Sequence, residues 1–271
     1  MKVSVIIPCY NDGKFLKNAV ASVTQIKSPE IELLIVNDGS TDPETLRELD
    51  YYDQKGIKVL SHDNRGIAYT RNRGISEAKG EYILPLDADN VITTGYIEQG
   101  IKYLDSKEFD IVYARPFFLG EDLPERKFQT NEFIGQELIW GNYIDACAIY
   151  RRSVWEKAGG YDEKMPYQGY EDWELWLSSY LSGFRFKYLD EELYGYTIRS
   201  GSMITEVMDE KKRSVCHNYM IEKHATAIVK SLKGVYDIYK KQQRNYLKTS
   251  LKYLIKPITE LFNQKTSSAI S

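Results

Sequence analysis

The stretch Val3-Ser4-Val5-Ile6-Ile7-Pro8-Cys9-Tyr10-Asn11 decides the fold, because its short apolar run ends in polar, turn-forming residues. A run of this length predicts a buried strand and is too short for a signal peptide. Four similar apolar runs follow, at 31–36, 57–60, 82–86 and 109–115. Helical patterns separate them, and this alternation predicts an α/β fold whose mainly parallel central sheet carries helices on both faces.

Signals for helices lie between and after these runs. Asp42-Pro43 pairs a capping acid with a proline at the first helical position, which predicts a helix start. In the less regular second half, apolar spacing predicts a helix over 171–181 and two short strands near 184–189 and 194–198. From about Met208 onward the pattern is helical and basic, which predicts a C-terminal helical extension.

Composition bounds the class of protein. The chain has 271 residues, of which 42% are hydrophobic and 28% are charged, as in soluble proteins with a buried core. Its three cysteines are far apart, which argues against a disulfide framework or a zinc site and favours a reducing compartment such as the cytoplasm. No stretch approaches the roughly 20 apolar residues of a membrane-spanning helix.

Polar residues follow each of the first four predicted strands. In a parallel sheet these positions share one edge, where ligands bind. A dinucleotide fingerprint and a phosphate-binding P-loop are both missing, which counts against dehydrogenases and P-loop enzymes. The polar segments are Pro8-Cys9-Tyr10-Asn11, Asn37-Asp38-Gly39-Ser40, His62-Asp63-Asn64-Arg65-Gly66 and Asp87-Ala88-Asp89-Asn90.

Asp87 and Asp89 flank a single residue after the fourth strand. Two carboxylates this close are costly to ionise together unless a cation lies beside them. Hard oxygen ligands suit Mg²⁺ or Mn²⁺, which would also accept diphosphate oxygens. The pair therefore predicts a divalent metal site, and the alternative is a solvated acidic turn.

These segments, in this order, resemble the family 2 inverting glycosyltransferases, whose nucleotide-sugar-binding fold is called GT-A. The resemblance covers roughly residues 1–200. It rests on 3–11, on Ile35-Val36-Asn37-Asp38-Gly39-Ser40-Thr41-Asp42, on Asn64-Arg65-Gly66 with Arg71-Asn72, and on Leu86-Asp87-Ala88-Asp89. It implies a GT-A-type fold and the transfer of a sugar from a nucleotide donor.

The resemblance also implies roles for the donor site. Asp38 would accept a hydrogen bond from the base, most often uracil, and Arg71 would lie near the base or the diphosphate. Asp89 would coordinate the metal, and Asp87 would hold the ribose or a metal-bound water. Taken alone, Asp38 could be a turn acid and Arg71 a solvated charge on a helix face. The predicted nucleotide site comprises Pro8, Tyr10, Asn11, Asp38, Asn64, Arg71 and Asp87, and the predicted metal ligands are Asp89 and Asp87.

Glu171-Asp172 resembles the acidic pair with which the family begins a helix, where the aspartate is the general base. Inverting transfer needs one carboxylate to take the proton of the acceptor hydroxyl. The resemblance implies Asp172 as this base and Glu171 as a residue that orients the acceptor. The alternative is that both acids only favour the helix dipole.

Arg199 stands where many family members place a histidine that binds the metal. This departure from the pattern suggests that the metal lacks a protein ligand there. It also suggests that Arg199 contacts the phosphate groups directly.

The predicted organisation is a catalytic domain over 1–205 and a basic helical extension over 206–271. Residues 1–115 would bind the nucleotide-sugar and 116–205 the acceptor. The expected function is transfer from a UDP-sugar, or a similar donor, to a hydroxyl of a cell-surface polysaccharide or other glycan. The alternatives are a non-catalytic nucleotide-sugar-binding or assembly protein, and a nucleotidyltransferase, which would need a glycine-rich signature that is missing.

The extension predicts a further partner. Residues 230–265 carry nine lysines and arginines against two acids, although the net charge of the chain is −3. Apolar residues recur from Leu247 to Phe262 beside a stripe of lysines, as in helices that lie on anionic membranes. The alternative is a helix packed on the catalytic domain. The expected acceptor is a glycan or lipid-linked glycan, at the inner face of the membrane, and nucleic acid is not expected.

Overall fold

The computed structural model describes residues 1–26, 30–121, 127–199 and 209–267, with the side chains of the last segment described as far as 247. The chain divides into two compact units, Met1–His224 and Ala225–Ser271. The first unit holds the whole sheet and the site described below. It also includes the first turns of the predicted C-terminal extension.

The described residues of the first unit form one eight-stranded mixed sheet with the order β3-β2-β1-β4-β7-β6-β8-β5. Strands β1 to β4 pair in parallel, as do β6 and β8. Strand β7 is antiparallel to both of its neighbours, and β5 is antiparallel to β8. The strands are β1 Val3–Cys9, β2 Ile31–Asp38, β3 Lys58–His62, β4 Tyr82–Pro85, β5 Val91–Ile92, β6 Ile111–Gly120, β7 Ile149–Arg151 and β8 Phe186–Ile198.

Helices cover this sheet, and the predicted α/β fold with a mainly parallel sheet is confirmed. A short 3-10 helix, Gly135–Ile139, lies between β6 and β7. The α-helices are α1 Gly13–Thr24, α2 Pro43–Gln54, α3 Ile67–Glu77, α4 Thr94–Asp105, α5 Arg152–Ala158, α6 Glu171–Leu181 and α7 Glu210–Ser267.

Helices α1 and α2 form for the reasons that the sequence predicts. Leu16, Ala19 and Val23 recur at helical spacing on α1, and all three are buried in the core beside the first strands. At the start of α2, the carboxylate of Asp42 accepts a hydrogen bond of 2.8 Å from the backbone N–H of Thr45. Such a cap stabilises a helix by about 1 kcal/mol.

The two short strands predicted near 184–189 and 194–198 are a single long strand, β8, so this prediction is wrong. The acids at 190–192 resemble a turn in sequence, but they are exposed residues within the strand. Strand β6 accommodates them with register shifts on both sides of Arg115, so that the pairing of β6 with β8 continues to Gly120 and Ile198. The sequence also did not predict the two-residue strand β5.

The first turns of α7 pack on α6. The imidazole of His217 stacks on the indole of Trp173, with ring centroids 5.5 Å apart. Farther along, Nε2 of His224 lies 2.7 Å from Oε1 of the buried Glu174. The basic and apolar stripes from 248 onward lie outside the described side chains. Within the part of the chain that the structure describes, no helix has the length and apolar character needed to cross a membrane.

Candidate active site

A cavity of about 730 Å³ opens at the carboxyl ends of β1, β2 and β4. Parallel pairing brings these strand ends to one edge, as the sequence predicts. Segments from 166–168 and from the end of β8 complete the wall. The residues predicted for the nucleotide, the metal and the phosphate all line this cavity: Pro8, Tyr10, Asn11, Asp38, Asn64, Arg71, Asp87, Asp89 and Arg199.

Asp38 is held rigidly at the base of this cavity. Its carboxylate accepts hydrogen bonds from the backbone N–H groups of Arg65, at 2.7 Å, and Gly66, at 3.0 Å. The Asn64 amide donates to the Asp38 carbonyl oxygen at 3.1 Å. Because each carboxylate oxygen can accept a second hydrogen bond, Asp38 is fixed in place and still able to accept one from a ligand.

Asn11 ties two loops of the site together. Its side-chain oxygen accepts from the backbone N–H groups of Thr41, at 2.8 Å, and Asp42, at 2.9 Å. Its own φ of 54° lies in the left-handed region that asparagine tolerates better than most residues. Asn11 therefore lines the predicted nucleotide cavity while its amide oxygen positions the loop after β2.

Arg71 is 3% exposed and joins the two acidic motifs of the sequence. One guanidinium nitrogen, Nη2, lies 2.7 Å from Oδ1 of Asp87, and the other, Nη1, lies 2.6 Å from Oε1 of Glu171. These two carboxylates raise the pKa of Arg71 despite its burial. The interpretation of Arg71 as a solvated helix-face charge is therefore wrong.

Asp89 belongs to a second cluster of charges. Its Oδ2 lies 2.7 Å from Nε of Arg199, whose Nη2 lies 2.9 Å from Oδ2 of Asp12. Burial and the nearby charge of Asp87 raise the pKa of Asp89 to about 6. The Asp89 side chain is only 14% exposed, so the turn after β4 is not simply a solvated acidic turn.

The acids at this turn fit a divalent metal that arrives with a diphosphate. Asp12, Asp87 and Asp89 line the cavity with Arg71 and Arg199, and Arg71 is shared with Glu171. A further cation would balance the charge of any diphosphate bound among these acids, and Mg²⁺ commonly uses only one or two protein carboxylates together with substrate phosphates. No group of three metal-ligating side chains is found among the described residues, so the phosphates and water would complete the shell.

A smaller cavity of about 230 Å³ adjoins the first. Arg71, Asp87 and Tyr196 line both cavities and thus separate them. Glu171 and Asp172, at the start of α6, face this smaller cavity.

Asp172 is oriented by two hydrogen bonds. Its Oδ1 accepts from the backbone N–H of Trp173 at 2.7 Å, and its Oδ2 accepts from the Asn142 amide at 3.0 Å. Burial, followed by the charge of Glu171, raises the pKa of Asp172 well above its ordinary value. The helix N-terminus alone predicts a readily ionised carboxylate, but desolvation and neighbouring acids outweigh it here.

Glu171 is 3% exposed, and both of its oxygens have protein partners. Oε1 pairs with Arg71, and Oε2 accepts from the backbone N–H of Gly169 at 2.8 Å. Glu171 thus holds Arg71 in place, together with Gly169 at the end of the loop 161–169.

The residues of the smaller cavity that sequence reasoning missed include Asn142, Asp145 and Tyr196. Burial and the charge of Asp87 raise the pKa of Asp145 to about 7. The available signal was weak: Asn142 and Asp145 flank the apolar pair Tyr143-Ile144 in an irregular segment.

The segment 161–169 forms one wall of the larger cavity through Pro166, Tyr167 and Gln168. The Gln168 amide oxygen accepts from the backbone N–H of Ile67, the first residue of α3, at 3.2 Å. This loop therefore contacts the start of α3, which also lines the cavity.

Comparisons with known proteins agree with this geometry. The model of "Glycosyl transferase family 2" matches residues 4–159. The glycosyltransferase GlyG of Streptococcus pneumoniae serotype 4 is 26% identical over 223 residues, which cover 76% of this chain and 74% of GlyG. The chondroitin synthase of Pasteurella multocida is 27% identical over 217 residues, which cover 78% of this chain but only 22% of the synthase.

Solved structures show the same fold. S. aureus TarS 1-349 in complex with UDP-GlcNAc superposes with a TM-score of 0.65 and 26% identity, over 79% of this chain and 64% of TarS 1-349. The mannosyltransferase PcManGT from Pyrobaculum calidifontis, in complex with GDP-Man and Mn²⁺, gives a TM-score of 0.60 at 17% identity, over 80% of this chain and 62% of that one. The match to this mannosyltransferase bears on the fold alone, and the fold is that of GT-A glycosyltransferases.

Proposed function

The chain belongs to glycosyl transferase family 2, and from that premise we propose that it moves a sugar, with inversion, from a UDP-sugar to an acceptor hydroxyl. The observation that carries the proposal is the pair of adjoining cavities with Arg71 and Asp87 between them. The larger cavity would hold the nucleotide-sugar, and the smaller would admit the acceptor beside Asp172. The complexes of the related TarS with UDP and UDP-GlcNAc support a uridine donor.

In the larger cavity, Asp38 would accept the N3–H of uracil, with Pro8, Tyr10, Asn11 and Asn64 around the base. Asp87 and Asp89 would hold Mn²⁺ or Mg²⁺, and Arg199 would contact the phosphates. When bound, the metal would neutralise charge on the departing diphosphate.

In the smaller cavity, Asp172 would act as the general base. Its carboxylate would take the proton of the acceptor hydroxyl while that oxygen bonds to the anomeric carbon and the bond to the nucleoside diphosphate breaks. Glu171 would orient the acceptor, and its ion pair would hold Arg71 in place between the two cavities. The raised pKa of Asp172 makes its carboxylate a stronger base once it is ionised.

The biological setting is part of the proposal. The relatives include GlyG and a chondroitin synthase, which supports an acceptor that is a glycan or a lipid-linked glycan of a surface polysaccharide. We place the catalytic domain in residues 1–205 and the basic extension in 206–271. The extension would contact the anionic inner face of the cytoplasmic membrane.

The chain spans 36% of the length of a further relative, the glycosyltransferase GlyA of Streptococcus pneumoniae serotype 4, and 22% of the chondroitin synthase, so the partners of the whole proteins are not carried over. A non-catalytic nucleotide-sugar-binding protein is the alternative, and the pairing of Asp172 with Asn142 favours the enzyme because it orients a base.

Release of UDP from a panel of UDP-sugars, with Mn²⁺ or with EDTA, tests the proposal. We expect turnover with at least one donor, and a loss of about a hundred-fold or more for Asp172→Asn with an unchanged melting temperature. Near-wild-type turnover by a folded Asp172→Asn protein would remove Asp172 as the base. Thermal stabilisation by a UDP-sugar without any turnover would support the binding protein instead.

A further inference from the structure

The smaller cavity has an unusual balance of charge. Four carboxylates line it, those of Asp87, Asp145, Glu171 and Asp172. Among the described residues that line it, Arg71 is the only cation, and its guanidinium is already paired with Asp87 and Glu171. A ligand that carried its own carboxylate or phosphate into this cavity would therefore meet uncompensated negative charge.

The remaining walls suit the face of a sugar ring. Phe128, Tyr143 and Tyr196 contribute aromatic surface, and the rings of Phe128 and Tyr196 meet edge to face with centroids 5.1 Å apart. Aromatic faces offer apolar surface to the C–H groups of a sugar while the carboxylates accept from its hydroxyls. At about 230 Å³ the cavity is smaller than the roughly 300–1,000 Å³ of pockets for drug-sized ligands, so it suits a single ring.

Asp145 is fixed by the backbone and directed at this space. Its Oδ1 accepts from the backbone N–H of Cys147 at 2.8 Å. Its Oδ2 has no hydrogen-bond donor among the described residues, and the side chain is partly buried. A ring hydroxyl would satisfy this oxygen, whereas an anionic substituent would be repelled by it.

We propose that the smaller cavity admits only an uncharged acceptor ring, and that Asp145 determines this specificity by accepting a ring hydroxyl and excluding carboxylates and phosphates. The proposal rests on the proposed transferase function and adds the chemical class of the acceptor. Asp145 is a specificity-determining residue in this account, distinct from the base Asp172.

The experiment follows UDP release from the UDP-sugar that the enzyme turns over. The added probes are matched pairs of p-nitrophenyl glycosides: a glucoside with a glucuronide, and a galactoside with a galacturonide. The assay is run at pH 8, above the pKa of about 7 of Asp145, so that its carboxylate is ionised. Occupancy of the cavity changes UDP release, upward by transfer or downward by exclusion of water.

For the wild-type protein we expect a neutral glycoside to change UDP release at a concentration at least about ten-fold lower than its uronide, because facing like charges cost several kcal/mol. The ratio of these two effective concentrations is the quantity compared between variants. Asp145→Asn keeps the shape and removes the charge, so this ratio should fall several-fold. Asp53→Asn makes the same charge change on the exposed face of α2 and should leave the ratio unchanged.

Equal potency of glucoside and glucuronide on the wild-type protein would overturn the proposal. A ratio unaffected by Asp145→Asn would also do so, as would UDP release that no neutral glycoside changes. In each of these outcomes the donor is still turned over in water, so the transferase proposal survives. If no UDP-sugar is turned over at all, the transferase proposal itself fails.

Discussion

Arg71 lines both cavities and pairs with an acid on each side. Its guanidinium pairs with Asp87 on one side and Glu171 on the other, at 2.7 and 2.6 Å. Arg71→Met keeps most of the side-chain volume but leaves the buried Glu171 without its cation. Removing one partner of a buried ion pair costs about 3–5 kcal/mol. We expect a loss of that size in urea unfolding, together with a loss of UDP release.

Arg73→Met provides the matched control for this change. Arg73 lies on the same helix, α3, and pairs with Glu77 at 2.7 Å, but its side chain is 39% exposed. An exposed pair of this kind contributes about 0.3–0.5 kcal/mol. Similar losses of stability in Arg71→Met and Arg73→Met would contradict the central role of Arg71.

Asn142 is expected to set the protonation of Asp172. Its Oδ1 accepts from the backbone N–H of Ile144 at 3.1 Å, which turns its amide N–H₂ toward Oδ2 of Asp172. A general base must lose its proton before it acts, so kcat/KM should rise with pH as Asp172 ionises. Because the pKa of Asp172 is raised, this increase should occur at a pH above the ordinary range for aspartate.

Asn142→Asp retains the bond to Ile144 and sets a like charge against Asp172. The rise of kcat/KM should then move to higher pH, because the neighbouring charge raises the pKa of the base further. Asn131→Asp, at an exposed position of the same connecting segment, should leave the profile in place. An unshifted profile in Asn142→Asp would argue that Asn142 does not act on the base.

Arg199 is expected to affect the affinity for the metal, since it occupies the position where the family resemblance implies a histidine. It donates to Asp89 at 2.7 Å and adds a positive charge beside a predicted metal ligand. Arg199→His would remove that charge and supply an imidazole, so we expect Mn²⁺ to bind about ten-fold more tightly or better in the presence of UDP. Electron paramagnetic resonance of free Mn²⁺ measures this directly, and weaker binding would refute the prediction.

At the scale of elements, the first turns of α7 pack against α6. Nζ of Lys223 lies 2.8 Å from Oε1 of Glu174 on α6 and 2.7 Å from Oδ2 of Asp162 in the 161–169 loop. Glu174 is 1% exposed, and its Oε1 lies close to both Lys223 and the neighbouring His224. Lys223 thus links the helix that carries the proposed base to the loop that walls the larger cavity.

Lys223→Met should therefore lower the free energy of unfolding by up to about 3 kcal/mol, as expected when a buried acid loses a partner. It should also raise KM for the donor more than it lowers kcat, because the loop that walls the donor cavity loses an anchor at Asp162. Lys230→Met, at an exposed position farther along α7, is the control and should change neither quantity. A purely structural effect would lower stability and leave KM unaltered.

The sequence predicts the residues of the larger cavity better than those of the smaller cavity, and the reason is physical. Asp38 ends β2 and Asp89 lies a few residues after β4, so local apolar patterns predict that they share an edge. Asn142 and Asp145 lie in an irregular segment, and only the packing of α6 brings Asn142 to Asp172. The burial of Arg71 likewise depends on Glu171, a hundred residues away.

At the scale of the whole molecule, the two compact units meet in sequence at 224/225. The contacts of α7 with α6 described above, those of His217, Lys223 and His224, lie before that boundary. The charge of the chain is divided in the same way, with the excess of lysine and arginine after residue 229. Folding of the first unit and any role of the basic extension should therefore be separable by truncation.

A chain that ends at residue 240 should keep the melting temperature and UDP release of the full chain, because every described contact on α6 is retained. It should lose binding to vesicles that contain anionic phospholipid, since most of the basic and apolar residues of the extension are removed. Binding of the full chain should weaken with added salt and be absent from neutral vesicles, because screening acts on its electrostatic part. If the shortened chain binds anionic vesicles as well as the full chain, the extension is not a membrane contact. If it instead loses several degrees of melting temperature, the extension stabilises the catalytic domain.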